Sequence, residues 1–600
     1  MKTTMRRATT TRAAPTGQGR RRVLASLAVG SVAGLASLSP SGSRAQSGKT
    51  LKIVTRDGPA LEYRFAANRR LALSENGGKP VSAGYGELTL NGMVFFSHLI
   101  PGEQKGYNVF VDQRTNLATV FEVWLSSGIK VNAGRPNEFT LDDREVQRQI
   151  YFGHVDAGQK PPETLHGYTN RICGKGIYWK QDTGIETLEL YASVANTNFV
   201  ELTRHVDDLS WVAASDYVLV DDRTFIYNRT ECEFSGIHTC FVADLYDVAQ
   251  AGVRFGFNEK DELEYYMFRG NGKVVGQLAY LEPFDEHGQK PMFVPATGAP
   301  AKGARSTYRP VRTFPHMTDE QVHAAALKRT SAFGITGPGE AAPQAVSAMA
   351  VNNMPFSDIL VGKTFTLRFD HGGPVRDYRV KEQFKLQFRD QKDNVWRDAD
   401  YRAYEGDTNL AWFSHIIPDS KPRASVQVAV DFSNGLATSI ESHMGTPYYG
   451  NETSYRAVFG IVEMEGLDAP LYVRHTHTDE PVGHAFSWSY SNQMTSMHLY
   501  TSPHSMSWTI FTANQTMGSQ WCSPCIYVKL REGVYLFCQN EEACNGAQMI
   551  ELLNTKISHD CGFSFNGGAN GVNLGVVGAI GRHIGKFDIA RYYGPKKREA

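Results

Sequence analysis

Two histidines in this chain stand in near-identical surroundings. His98 lies in Phe95-Phe-Ser-His-Leu-Ile-Pro101, and 317 residues later His415 lies in Trp412-Phe-Ser-His-Ile-Ile-Pro418. An imidazole exchanges a proton near neutral pH, so a working pair here is expected to titrate at about 6 to 7. In an extended segment alternate side chains share a face, which sets Phe96 beside His98 and Phe413 beside His415. A carboxylate recurs downstream. Val109-Phe-Val-Asp-Gln-Arg-Thr-Asn-Leu-Ala-Thr119 matches Val428-Ala-Val-Asp-Phe-Ser-Asn-Gly-Leu-Ala-Thr438, and Glu122 and Glu441 follow at the same place. Facing a cavity, each could act as general base or hold an amine, with a pKa raised by loss of water. His98, Glu122, His415 and Glu441 are the candidate catalytic residues. Phe96 and Phe413 would form the wall on which an aromatic ligand rests.

A third block, Ser215 to Asn258, runs against Ser523 to Asn566 at a constant offset of 308. It pairs Arg223 with Arg531 and Tyr227 with Tyr535. The arginines sit in hairpin sequences, where a guanidinium completes a turn or binds a carboxylate. The tyrosines lie on the strands leaving those turns and are candidates for a hydrogen bond to a bound phenol. His475 and His477, two residues apart, would share a strand face, but a third ligand is not fixed by the spacing and no metal is expected. Cys522-Ser-Pro-Cys525 has the spacing of a disulfide, a redox pair or half a zinc site. No second C-x-x-C accompanies it, so a disulfide leads, with inert thiols next. No strand-to-helix glycine pattern points to a hydrolase, an NTPase or a dinucleotide site, and no cofactor is expected.

Self-similarity over this length means one folding unit present twice, each copy roughly 240 residues. Within each copy, short aromatic or β-branched segments recur about every ten residues, broken by Gly, Asn and Pro. Leu51–Val54, Leu61–Phe65, Glu87–Leu90, Met93–Leu99, Tyr107–Asp112 and Ala118–Trp124 are examples from the first copy. That habit predicts an all-β chain of antiparallel barrels, two per unit, whose closure removes exposed sheet edges. The expected boundaries are 50–155 and 156–290 for the first unit, and 350–465 and 466–595 for the second. Residues 291–349, rich in Ala, Gly and Pro, read as a linker. Within it the capping sequence Thr318-Asp-Glu-Gln321 opens a short helix ending near Arg329. Each half is large enough for a core of its own and is expected to fold alone.

Lys plus Arg and Asp plus Glu number 62 each, so no net field draws the chain to nucleic acid. Residues 1–45 read as a targeting segment. Arg20-Arg-Arg22 precedes a mildly apolar run to about Leu38 and a small-x-small end at Ser43-Arg-Ala45, which suits a twin-arginine signal. The run is too short for a membrane span, and the mature protein is expected to be periplasmic or secreted.

His475-Thr-His-Thr-Asp-Glu-Pro-Val-Gly483, Phe486-Ser-Trp-Ser-Tyr490 and Tyr535-Leu-Phe537 resemble the C-terminal domain of the MoaF family. Lys363-Thr-Phe-Thr-Leu-Arg-Phe-Asp370 and Trp412-Phe-Ser-His415 resemble its N-terminal domain. The likeness covers most of 350–590. It reaches 50–290 through the duplication, where the His475 region is reduced to Gly153-His-Val-Asp156. The resemblance implies lipocalin-like (calycin) barrels. It also implies kinship with phenolic acid decarboxylases, which use tyrosines, an arginine and a glutamate on a para-hydroxycinnamate. The family's name refers to molybdenum cofactor biosynthesis. The sequence therefore reads as two fused MoaF-like units binding a small phenolic or amine compound inside a barrel. Such a protein would be either a cofactor-free lyase or decarboxylase-like enzyme, or a binding protein without turnover.

Overall fold

The computed structural model describes residues 48–279 and 349–593, apart from 104, 127–129, 133–134, 141–144, 193–195, 204–209, 232–236, 258–262, 419, 422, 445–452, 493, 513–519, 542–546 and 569–570. The expected export signal and the expected helix at 318–329 lie outside the described residues.

Alternation builds the first barrel. In Ala60–Ala66 the side chains of Leu61, Tyr63 and Phe65 turn inward while the residues between them face out. Eight such antiparallel strands between Thr50 and Val155 close into a ring, sealed where Ile53 lies opposite Val155. A second closed barrel of eight strands spans Thr364–Glu463, sealed where Leu367 lies opposite Val462. Between and after these lie two further rings, Lys175–Gln277 and His484–Lys586. They close where Tyr227 pairs with Phe241 and Tyr527 with Phe537. Each carries a short extra strand, Gly167–Tyr168 or Thr476–His477. The protein is thus all-β, four closed antiparallel barrels in two tandem pairs. Among the described residues the only helical element is a 3-10 turn, Ala590–Tyr593. No described helix is long and apolar enough to cross a membrane.

The outward faces join the barrels of a unit. Phe95 turns away from Phe96, stacks on Phe110 at 4.2 Å and lies in one apolar cluster with Val242 and Val253 of the second barrel. Trp412 does the same toward Phe563 of the fourth. One polar contact recurs at both joints, Thr119 with His166 at 2.9 Å and Thr438 with His475 at 2.8 Å. His475 therefore corresponds to His166 in space, rather than to the Gly153–Asp156 stretch that the sequence suggested.

The pairing of strands also corrects the expected offset. Tyr227 lies opposite Phe241, and the equivalent pair is Phe537 opposite Glu551, a shift of 310 residues in each case. Tyr227 is thus matched by Phe537, and Tyr535 by Phe225.

Besides the apolar clusters that each keeps to itself, the two units share one. Leu188, Leu190, Val200 and Val275 of the first pack with Met497, Leu499, Ile584 and Phe587 of the second in one apolar cluster. Backbone bonds cross the same surface: Ala279 N–H to Ile584 C=O at 2.8 Å, and Asp588 N–H to Val275 C=O at 2.6 Å. Each donor and each acceptor is 309 residues from its counterpart, so the contact is a pseudo-twofold one. Each half would expose this apolar face if expressed alone.

Candidate functional site

The candidate catalytic residues lie in the first and third barrels, with side chains turned into the lumen. His98 meets the Tyr63 hydroxyl at 3.3 Å, and His415 meets Tyr378 at 3.2 Å. In the third barrel the His415 Nδ1–H donates to the Ile416 carbonyl at 3.0 Å, so Nε2 accepts from the tyrosine. Phe96 packs edge-on to Tyr63 at 5.0 Å, and Phe413 likewise on Tyr378 at 5.5 Å. These rings fill the lumen. Both histidines are fully buried, which lowers His98 to about 3 and His415 to about 4. They stay neutral at physiological pH, and the titration expected at about 6 to 7 does not belong to them.

Glu122 and Glu441 also face inward, each near a second carboxylate, Glu75 or Asp390. One cation serves each pair, but it comes from a different strand. Lys105 reaches Glu122 at 2.8 Å and Glu75 at 3.4 Å, while Arg376 grips Glu441 through two 2.7 Å contacts. Tyr151 donates to Glu122 at 2.9 Å and Ser439 to Glu441 at 2.6 Å. Burial alone would raise the Glu441 carboxyl, but Arg376 and Ser439 outweigh it and hold it below the usual range. The raised pKa expected of this residue is therefore reversed: it is a clamped carboxylate.

The arginines prove to be clamps too. Arg223 pairs with Asp244 and Asp247 in its own hairpin region, and Arg531 bridges to Asp431 of the third barrel at 2.6 Å. Tyr535 lies at one end of the fourth lumen and donates to Glu480 at 2.8 Å. Tyr227 is different. It is fully buried in the second barrel, where its hydroxyl donates to Glu189 at 2.9 Å.

Around Tyr227 the second lumen holds a polar network. Tyr191 also donates to Glu189, at 3.0 Å, Trp179 donates to the Tyr191 hydroxyl at 3.2 Å, and Arg229 Nη1 reaches Glu189 at 2.8 Å. Burial raises the Glu189 carboxyl despite the opposing Arg229 and the tyrosine hydrogen bonds. The fourth lumen repeats the aromatic frame with Trp488, Tyr500, Tyr527 and Phe537. The rings of Tyr500 lie 5.6 Å from both Tyr527 and Phe537. Each tryptophan lies over a glycine on the facing strand, Gly272 or Gly581, where an added methyl would strike the indole. Only glycine leaves the ring its place.

His475 is buried against Thr438 while His477 is exposed, so the two do not converge. Among the described residues no group of three or more metal-ligating side chains comes together. Cys522 and Cys525 are not joined by a disulfide. Cys522 instead accepts from Ser210 of the first unit at 3.2 Å, and burial pushes the Cys525 thiol well up. Cys232 and Cys544 lie outside the described residues.

Family comparison agrees with this architecture. Residues 346–446 match the MoaF N-terminal domain and 475–570 the MoaF C-terminal domain. The second unit of the chain belongs to the MoaF family. The two matches coincide with the third and fourth barrels, and the first two barrels repeat the same pair of folds ahead of them. No curated protein matches the chain in sequence.

Several residues of the two units are not marked by the blocks of self-similarity. Tyr63 and Tyr378 each precede an arginine at an offset of 315, and Glu75 and Asp390 share that offset. Trp179 and Trp488, with Tyr191 and Tyr500, share an offset of 309. The signal was present but broken by insertions between blocks. Glu189 and Arg229 have no like-charged counterpart in the second unit, so the duplication could not flag them.

Proposed function

We propose that this protein binds a small aromatic compound in the lumen of a C-terminal barrel. The carrying observation is a buried carboxyl enclosed by Trp and Tyr side chains, Glu189 with Trp179, Tyr191 and Tyr227. Hydroxyl-bearing aromatics give a planar ligand both stacking surface and polar ends. A carboxyl raised by burial can serve as a proton donor or acceptor, which supports a cofactor-free lyase or decarboxylase-like step. Tyrosines, an arginine and a glutamate are also the residue types implied by kinship with phenolic acid decarboxylases. Here they stand in one lumen.

A second reading, binding without turnover, is favoured by the Arg229–Glu189 ion pair, which already occupies one carboxylate oxygen at 2.8 Å. Titrating the protein with phenolic acids and aromatic amines, by tryptophan fluorescence and product chromatography, separates the two. Saturable quenching with product supports the enzyme, and quenching without product supports the binder. No response to any aromatic compound sinks both. Export is part of the proposal and rests on residues 1–45 alone. The mature chain should begin near Gln46, and N-terminal sequencing of periplasmic material tests this.

A further inference from the structure

The second and fourth lumina share a frame but differ in their charges. In the second, Glu189 is buried with a guanidinium and two hydroxyls already on it. In the fourth, the place of Arg229 is taken by Gln539 and that of Glu189 by His498. The acids appear elsewhere on the wall. Glu551 stands where the second barrel has Phe241, and Asp560 where it has Gln250, as the strand pairings fix.

These two acids are 0 % exposed. Neither oxygen of Glu551 has a hydrogen-bond partner, nor does Asp560 Oδ2. His498, itself buried, shares the lumen and presents an unpartnered Nδ1. Burial raises both carboxyls, and Glu551 raises Asp560 further, so the two lie close enough to oppose each other's ionisation. Among the described residues no lysine or arginine pairs with either. Asp560 Oδ1 accepts from the Ala579 N–H, and the other three oxygens of the pair have no donor. Such a pair is costly to keep, far more than the aromatic and amide groups it replaces. It persists where something outside the chain supplies the donors and the positive charge.

We propose that the fourth barrel takes an organic ammonium group, with Glu551 and Asp560 as its counter-ions and the rings of Trp488, Tyr500 and Phe537 around its hydrocarbon. Aromatic faces add attraction for a cation held among them. The ligand's N–H groups fill the role that Arg229 fills in the second barrel. This assignment rests on the reading that a C-terminal lumen binds small aromatic compounds, and it names the charge of the ligand and the barrel that receives it.

The test is calorimetric titration of the full chain. The probes are primary arylalkylamines from benzylamine to 4-phenylbutylamine, alongside alcohols of the same lengths. At least one amine should bind once per chain and at least about tenfold tighter than its alcohol. Glu551→Gln should remove that preference while leaving the alcohol unaffected. Asp560→Asn makes the same test if the first variant does not fold. Alcohols that bind as tightly as amines, or amine affinity unchanged in both variants, overturn the cation assignment while leaving aromatic binding intact. Displacement of the amine by potassium or magnesium chloride at matched ionic strength overturns it in favour of an inorganic ion. Binding by neither series overturns this proposal, and the phenolic acid titration then decides the reading beneath it.

Discussion

Arg376 holds Glu441 by both guanidinium prongs inside the third barrel, each contact 2.7 Å long and the pair almost wholly removed from water. The first barrel keeps the glutamate, as Glu122, but answers it with Lys105 from another strand. Breaking a buried pair from one side strands a charge. Arg376→Met should therefore cost about 3–5 kcal/mol in urea unfolding. The double variant Arg376→Met with Glu441→Leu should recover most of that loss. A single variant within about 1 kcal/mol of wild type would mean that solvent reaches the carboxylate.

Stability should fall on mild acidification. His98 and His415 remain neutral in the folded state down to about 3 and 4, because burial disfavours their charged forms. In the unfolded chain they take up protons below about 6.5. The unfolded state thus binds more protons between pH 6.5 and 4, and stability is lost as pH falls through that window. The two together contribute on the order of a few kcal/mol. Urea midpoints measured from pH 7.5 to 4.5 should slope downward, and His98→Phe with His415→Phe should make the slope shallower. The remainder belongs to His166, His238, His475 and His498, which burial lowers too. An unchanged slope would assign the acid sensitivity to other groups.

Separating the units should create a new oligomer. The surface that joins them is self-equivalent, so residues 349–593 expressed alone can pair with a second copy through the same face. Light scattering after size exclusion should give twice the monomer mass, and Leu499→Asp should halve it. A monodisperse monomer would show that the shared cluster contributes little.

Gly272→Ala and Gly581→Ala should each destabilise by about 1–3 kcal/mol through overpacking against the indole. Near-ultraviolet dichroism should report the displaced tryptophan, while far-ultraviolet spectra stay those of a β protein. Unaltered tryptophan signals would mean that the lumen has room to spare.

The barrels were legible because two-residue alternation is written directly in strands such as Ala60–Ala66 and because duplication marks what is kept. The inward turn of Phe96 and His98 followed from the same alternation. Other features depend on relations that a linear reading cannot supply. Whether His98 is a proton carrier or a buried neutral ring is decided by Tyr63 and the packing around it. Arg531 looked like turn chemistry, and it is a bridge to Asp431 a hundred residues away in sequence. Strand pairing sets the offset at 310 on both sides of the hairpin, Tyr217 opposite Tyr227 and Tyr527 opposite Phe537, so Phe537 rather than Tyr535 takes the place of Tyr227. Glu551 and Asp560 were invisible because the first unit has an aromatic ring and an amide in their places.

The exchange of backbone bonds by Ala279 with Ile584 and by Asp588 with Val275 has an evolutionary corollary. Such a face is what a dimer of identical chains would use, and in that dimer every substitution is made twice. One linked polypeptide lifts that constraint. The second lumen can keep an internal guanidinium, Arg229, while the fourth has Gln539 in its place and carries its carboxyls elsewhere on the wall, without either change disturbing the seam between them. Covalent linkage thus leaves the two lumina free to diverge in charge.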